Sequence, residues 1–381
     1  MGLLGLTGCG SPSSASMETS SEAPSEVTQT TQEEQTELVK TGSMELQYAE
    51  NFAVDYYEDG YKMLTTLPDS KRYLLVPEGQ PVPRGLDEDV SILQEPLQNI
   101  YLVASGVMDM FVSLDAVDQI RFSGQKQENW YIQTAKDAME AGDMIYAGKY
   151  SKPDYELLVS EGCDLAIENR MITHSPEVVE MLQSFDIPVM IEYSSYEKHP
   201  LGKVEWVKFF GALTGKEAEA EEAFAEQTEI LEEVESGEKT GKTIAFFYVT
   251  SNGLIQVRQS TDYIPKLIEL AGGRYIFEDL EDSGSGRSTL NMPVEDFYAG
   301  AKDADILIYN SSIDGGVTTV DELIGKCNIL KDFKAVQEGQ VYCTTNDMYQ
   351  QSMAIGYLLQ DMHTVLTDDD TAKLRYLFLL Q

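Results

Sequence analysis

Thr214-Gly-Lys-Glu-Ala-Glu-Ala-Glu-Glu-Ala-Phe-Ala-Glu-Gln-Thr-Glu-Ile-Leu-Glu-Glu-Val-Glu-Ser-Gly237 is the stretch that decides the fold of this chain. Thr214 with Glu217 three residues later has the form of a capping box, which satisfies orphan amides at a helix start. Gly237 is the residue type that commonly ends a helix in the left-handed conformation. Between them Ala220, Phe224, Gln227, Leu231 and Val234 recur at four- and three-residue spacing, a narrow stripe that is apolar except at Gln227. The other faces are mostly Glu, so the spacing predicts a helix that packs along one side only. At about 1.5 Å per residue it is roughly 30 Å long, enough to cross a small domain. An ordinary surface helix has the same pattern; what singles this one out is that the sequence alternates alike on both sides of it.

On the N-terminal side, strand candidates at residues 99–103, 120–122, 165–168 and 187–193 alternate with helical patterns at 106–114, 130–141, 153–160, 176–185 and 204–213. On the C-terminal side, strands at 243–249, 275–277, 306–309 and 341–343 alternate with helices at 262–271, 294–301, 320–324 and 349–366. Such alternation argues for parallel sheets flanked by helices, one on each side of residue 214. Ahead of them, runs at 44–48, 52–57, 61–67 and 72–76 are separated by turn signals such as Glu58-Asp59-Gly60, and predict a small β-meander. Residues 77–96 read as a loop-rich passage. The expected organisation is an N-terminal α/β lobe over 42–213, a linker helix over 214–237 and a C-terminal α/β lobe over 238–381.

A length of 381 residues favours two domains over one. The net charge of −38, from 27 basic and 65 acidic residues, excludes a nucleic-acid partner, whose phosphates would be repelled. No apolar run is long enough to span a membrane. Leu6-Thr7-Gly8 ahead of Cys9 resembles a bacterial lipobox, in which the Cys becomes lipidated, so residues 1–9 read as the remnant of a lipoprotein signal. The apolar run there is short and carries no Lys or Arg before it, so the precursor is expected to start upstream. Residues 10–41 are Ser, Thr, Glu, Gln and Pro with little to bury, and read as a disordered tether. Cys163, Cys327 and Cys343 lack zinc-site spacing; a Cys327–Cys343 disulfide is left open, with buried free thiols the favoured reading. His174, His199 and His363 are too dispersed for a bare metal cage, so no metal site is expected. Gly284-Ser-Gly286 lacks the following Gly and helix of a phosphate loop, and reads as a flexible loop.

Two segments echo each other: Pro153-Asp-Tyr-Glu156 leading to Asp164 before a strand, and Pro293-Val-Glu295 leading to Asp305 before another. Each reads as a Pro in a first helical turn, an acid favoured there by the helix dipole, and an Asp opening a buried strand. With these segments the chain resembles the bacterial solute-binding lipoproteins of iron–siderophore, haem and cobalamin ABC importers, the class III binding proteins. The resemblance is carried in order by the lipobox, the 153–168 segment and Ile187-Pro-Val with Tyr193-Ser-Ser. It continues through Gly211-Ala-Leu-Thr-Gly-Lys-Glu-Ala-Glu-Ala220 and Asp303-Ala-Asp-Ile-Leu-Ile308, so that it covers about residues 44–366. It implies an α/β fold of two Rossmann-like lobes joined by a single long rigid helix near 216–236, with the ligand cleft between the lobes and a small closing motion. It implies no enzymatic activity and no cofactor, the ligand being a ferric siderophore-type metal chelate. Haem or cobalamin binding, or a non-transport surface binding or sensor role, stand as alternatives. The implied partners are an ABC permease dimer with its ATPase subunits and the membrane, reached through lipid on Cys9; a monomer on the outer face of the cell membrane is expected. Family acids that engage permease arginines sit in the helices matching Glu156 and Glu295.

In open α/β sheets ligands bind beyond the carboxyl ends of the strands. That rule selects Ser105, Asn169, Arg170, Tyr193, Ser194 and Ser195 in the first lobe. In the second it selects Tyr248, Thr250, Ser251, Asn252, Arg258, Tyr309, Asn310 and Ser311. The ligand-binding set expected from these is Arg170, Tyr193, Ser194, Tyr248, Asn252, Arg258, Tyr309 and Asn310. Tyr and Asn suit an oxygen-rich chelate, and the two Arg would attract an anionic one. An enzyme on a double α/β fold would need clustered Cys or a convergent acid–base set, and the sequence contains neither.

Overall fold

The structure is a computed structural model and describes residues 38–280, 288–311, 316–369 and 371–381. Cys9, most of the tether and Gly284-Ser-Gly286 lie outside the described residues.

The chain enters through a five-stranded sheet of β1 (Lys40–Ser43), β2 (Phe52–Tyr57), β3 (Lys62–Thr66), β4 (Lys71–Val76) and β5 (Val90–Gln94), in that spatial order. The first three pairings are antiparallel and β4–β5 is parallel. Asp59 and Gly60 turn the β2–β3 hairpin with φ of 57° and 84°, as the Glu58-Asp59-Gly60 signal predicts. The expected strand at 44–48 is instead a loop, and β1 lies just before it, across the end of the stretch read as tether. The cause is two buried carboxylates. Glu205 accepts from the amides of Gln47, Tyr48 and Ala49, each at 2.8 Å. Glu197 accepts from those of Glu50 and Asn51 at 2.9 and 3.0 Å. Amides held by side chains are not available to a ladder. The strand β5 falls in the passage read as loop.

The N-terminal lobe is built on β6 (Ile100–Leu102), β7 (Ile120–Ser123) and β8 (Ile145–Tyr146), a short antiparallel pair β9 (Gly148–Lys149) and β10 (Lys152–Pro153), then β11 (Leu165–Asn169) and β12 (Val189–Glu192). Its sheet runs β12-β11-β6-β7-β8 with every pairing parallel. Helices α1 (Met108–Ser113), α2 (Gln133–Ala141), α3 (Tyr155–Ser160) and α4 (Pro176–Ser184) connect its strands.

Two helices then carry the chain across, α5 (Pro200–Thr214) and the 19-residue α6 (Glu217–Glu235). The buried residues of α6 are Ala220, Phe224, Gln227, Leu231 and Val234, the stripe expected from spacing. Gln227 belongs in it because its side-chain oxygen accepts from the Gly356 amide at 2.9 Å. The ends of the helix differ from expectation. Thr214 completes α5 and donates its hydroxyl back to the Phe210 carbonyl at 2.7 Å, so it caps nothing. Gly215, at φ 72°, ends α5 in the left-handed conformation. Glu217 is free of the box and pairs with Lys62 at 2.5 Å. Ser236, not a left-handed Gly237, closes α6. Gly237 answers a different need, since a Cβ there would lie 2.7 Å from the His363 ring. The long helix therefore spans 217–235 rather than 214–237.

The C-terminal lobe follows as β13 (Thr243–Val249), β14 (Ile255–Arg258), α7 (Tyr263–Leu270), β15 (Arg274–Tyr275), β16 (Thr289–Met292), α8 (Val294–Ala301), β17 (Ile306–Tyr309), α9 (Val320–Lys326), α10 (Lys334–Gln337), β18 (Val341–Thr344), α11 (Ile355–Thr367) and β19 (Leu377–Leu379). Its sheet order is β16-β14-β13-β17-β18-β19, with β15 also pairing β13. The centre, β13-β17-β18, is parallel, and antiparallel strands extend both edges.

The internal echo is structural. Asp164, at the foot of β11, accepts from the amides of Gln98 and Asn99 ahead of β6, both at 2.9 Å. Asp305, at the foot of β17, accepts from the Thr243 amide at 2.7 Å and its hydroxyl at 2.8 Å. In each lobe an Asp pins the start of the neighbouring parallel strand. The prolines sit one step earlier than read: Pro153 lies in β10 and Pro293 just ahead of α8, while Asp154 caps α3 by accepting from the Leu157 amide at 3.1 Å. Cys163, Cys327 and Cys343 are buried free thiols. No helix among the described residues is long and apolar enough to cross a membrane.

Candidate functional site

The carboxyl ends of β6, β11 and β12 open onto a cavity of about 250 Å³. Ser105 and Gly106 follow β6, Asn169 and Arg170 follow β11, and Ser195 and Tyr196 follow β12, so strand ends supply most of its wall. The opposite lobe contributes Tyr349, and α5 contributes Lys203 from below. A second cavity of about 420 Å³ meets the first at Ser105 and Asn169 and continues along β7 and β8 past Lys126, Tyr146 and Tyr150.

Arg170 lays its guanidinium over the Tyr196 ring, 4.7 Å from the centroid, which fixes both on the wall. Across the cleft, Tyr349 is held from its own lobe. Its phenol oxygen receives the guanidinium of Arg258 and the Asn310 amide, the latter at 3.0 Å. Arg258 is tied in turn to the buried Asp262 at 3.5 Å, and the Tyr275 hydroxyl donates to its carbonyl at 2.8 Å. Thus Arg170, Arg258 and Asn310 do converge, the last two through Tyr349.

The other expected residues lie elsewhere. Tyr193 is 6% exposed and packs into the body of its lobe. Ser194 gives its amide and hydroxyl to Glu192 at 2.8 and 2.6 Å. Their neighbours Ser195 and Tyr196 line the cavity instead. Tyr309 is fully buried in the core of the C-terminal lobe, with the Tyr248 ring tilted against it at 6.2 Å between centroids. Asn252 is exposed in the β13–β14 turn, accepting from Thr250 at 2.6 Å. Strand-end reasoning missed Lys203, Glu192 and Tyr349. Tyr349 carried a signal, since it follows β18 by five residues, but it reads equally as the start of the last helix.

Burial pushes the carboxyls of Glu192 and Asp262 up, and Asp109 to about 6. Asp109 also bridges the lobes, accepting from the Met353 amide at 2.8 Å. Gln350 adds a second stitch: it accepts from the Tyr131 amide and donates to the Asn129 carbonyl, both at 2.8 Å. The segment carrying Tyr349 is therefore fastened to the first lobe beside the cavity. Among the described residues no group of three or more His, Cys, Asp or Glu could hold a metal ion. Glu156 and Glu295 are both exposed, in the first turns of α3 and α8. A helix that leads back into a parallel strand starts at the end of the sheet where the strands finish, so each acid stands on the cleft-side rim of its lobe.

Comparison with known proteins agrees with this architecture. A family profile described as Periplasmic binding protein matches residues 103–348. An uncharacterized lipoprotein of Methanocaldococcus jannaschii is 24% identical over 351 residues, covering 84% of this chain and 81% of its own. A structure described as an ABC-type Fe3+-hydroxamate transport system from Saccharomonospora viridis superposes with a TM-score of 0.55 at 17% identity, over 71% of this chain and 93% of that one. The periplasmic haem-binding protein HutB of Vibrio cholerae does so with a TM-score of 0.56 at 14% identity, over 70% and 98%. With two α/β lobes spanned by a long helix and a cleft at their strand ends, this chain belongs to the periplasmic binding protein family, the solute-binding components of ABC transporters, in its class III form.

Proposed function

We propose that the chain is the extracytoplasmic substrate-binding lipoprotein of an ABC importer, capturing a ferric siderophore-type chelate in the interlobe cleft and delivering it to the permease. The observation that carries this reading is the cavity itself. It is walled by Arg170, Tyr196, Asn169 and Ser105 from one lobe and by Tyr349, braced by Arg258 and Asn310, from the other. Cationic and phenolic groups around an open, polar space suit an oxygen-rich chelate whose metal is already coordinated. The names of an iron–hydroxamate system and a haem-binding protein among the structural relatives support the same class of cargo. The lipoprotein relative supports a lipid on Cys9, which would leave the body tethered outside the membrane. Glu156 and Glu295, one exposed on each rim, would meet cationic sockets on the two permease subunits.

Titration of the purified chain by intrinsic fluorescence tests the reading. Trp130 adjoins the second cavity, since its neighbour Asn129 lines it, and the Trp130 indole donates to Ser123 at 3.1 Å. Saturable quenching at submicromolar ferric siderophore is the expected result. Saturation by haem or cobalamin alone would reassign the cargo, and a flat response to all of them would remove the chelate reading.

A further inference from the structure

We propose that Lys203 anchors an anionic oxygen of the cargo, so that this cleft takes a chelate carrying free negative charge, such as a carboxylate or catecholate complex, over a neutral one. The proposal rests on the cleft being the binding site, as argued above. Lys203 lies in the first turn of α5, a helix whose residues are buried from Pro200 to Leu213. Only 3% of the residue is exposed, and it lines the cavity alongside Arg170, Glu192 and Tyr349. Its ammonium offers three donors. The contact it makes is with the Tyr263 ring, 4.8 Å from the centroid; among the described residues no carboxylate lies within ion-pair distance of it.

The acids around Lys203 have other hydrogen-bond partners. Glu192 accepts from the Ser194 amide and hydroxyl, and Asp109 from the Met353 amide. Asp262 accepts from the Ile264 amide at 2.9 Å and pairs with Arg258. They act on Lys203 through space without giving it an acceptor. Lys208, five residues along the same helix and 4% exposed, shows the contrasting arrangement, with Glu221 at 2.9 Å and Glu205 at 3.8 Å. The residue is enclosed and lines the cavity, whereas a lysine placed only for structure takes a carboxylate partner as Lys208 does. The space next to Lys203 is the cavity, so its missing acceptor is one that arrives with the ligand.

The test is calorimetric titration of the full chain with ferric citrate, an anionic chelate, and with a neutral ferric trihydroxamate, in wild type, Lys203→Met and Lys203→Arg. Wild type is expected to bind the anionic chelate more tightly by at least about tenfold. Lys203→Met is expected to lose at least about thirtyfold for it, as when one partner of a buried charged pair is removed. Its affinity for the neutral chelate should change little, and Lys203→Arg should fall between. Equal binding of the two chelates by wild type, which requires no variant to fold, would overturn the proposal; so would an unchanged affinity of Lys203→Met for ferric citrate. If neither chelate binds, the chelate reading of the function fails, and thermal melting with sodium molybdate decides the anchor separately. A molybdate-dependent rise in Tm seen in wild type and lost in Lys203→Met upholds it; no rise in wild type, or a rise retained in Lys203→Met, overturns it.

Discussion

Replacing Glu168 by Gln should flatten the pH dependence of stability by an amount the structure sets. Glu168 sits in β11 next to Asn169 of the cavity wall, with no exposed surface and no hydrogen-bond partner for either carboxyl oxygen among the described residues. Its side chain faces the same side of the sheet as Ala166, toward Tyr101 and Tyr155. Burial raises its pKa from 4.5 to about 8. The sign follows from proton binding. Between these two values the folded chain holds a proton that the unfolded chain has released, so stability falls as pH rises from about 4.5 and levels off above about 8. At about 1.36 kcal/mol per unit, the cost is about 1 kcal/mol at pH 5, about 3 at pH 7 and close to about 5 at pH 9. Glu168→Gln removes the titration and leaves a buried amide, a penalty of about 1–3 kcal/mol that does not vary with pH. Urea unfolding at pH 5, 7 and 9 should therefore show wild type losing about 4 kcal/mol more than the variant over that range. The many other carboxylates contribute equally to both proteins and cancel. Parallel profiles would refute the reasoning, because they would mean that Glu168 titrates alike in the folded and unfolded chain.

Gly211→Ala should destabilise the fold by about 1–3 kcal/mol in urea unfolding, since the added Cβ would lie 2.6 Å from the Ala220 Cβ and 3.0 Å from the Lys216 carbonyl, where α5 and α6 meet. A variant as stable as wild type would show that the two helices can move apart freely. Glu156→Ala and Glu295→Ala should each leave ligand affinity and stability within about 0.5 kcal/mol of wild type, both being exposed. The pair together should abolish uptake in cells that depend on this importer, and uptake at the wild-type rate would exclude permease docking through these acids.

The parts of the fold legible in sequence are those where burial leaves a periodic trace. The core strands β13 and β17 match the expected residues 243–249 and 306–309 end to end, because strands buried on both faces appear as continuous apolar runs. The stripe of α6 was legible because one buried face on a polar helix repeats every three to four residues. Its ends were not, because Thr214 and Glu217 have capping-box spacing whether or not a helix begins there, and the Gly215 between them ends α5 instead. β14 and the edge strand β16 escaped because each is only four residues long, so Ile255-Gln-Val-Arg258 carries too few residues of alternation to be distinguished from a loop.

The site divides along the same line. Strand ends can be counted along a sequence, and those of β11 and β17 led to Arg170 on the cavity wall and to Asn310 behind Tyr349. Lys203 could not be found that way, because a lysine in a helical pattern ordinarily faces water, and nothing local reveals that α5 is enclosed on every side. What encloses it is the N-terminal sheet, which precedes the family match at 103–348, together with the two lobes. The charges on and beside α5 show how this sheet is attached. Glu205 and Glu197 hold the 47–51 loop, the Trp206 indole donates to Glu197 at 2.9 Å, and Lys208 neutralises Glu205 and Glu221. Each of these charges has a polar partner, whereas Lys203, on the same helix, has no carboxylate within ion-pair distance among the described residues and only the Tyr263 ring beside it. The helix that fastens this sheet to the body also supplies Lys203 to the cavity, so the sheet helps to hold Lys203 in place on its wall.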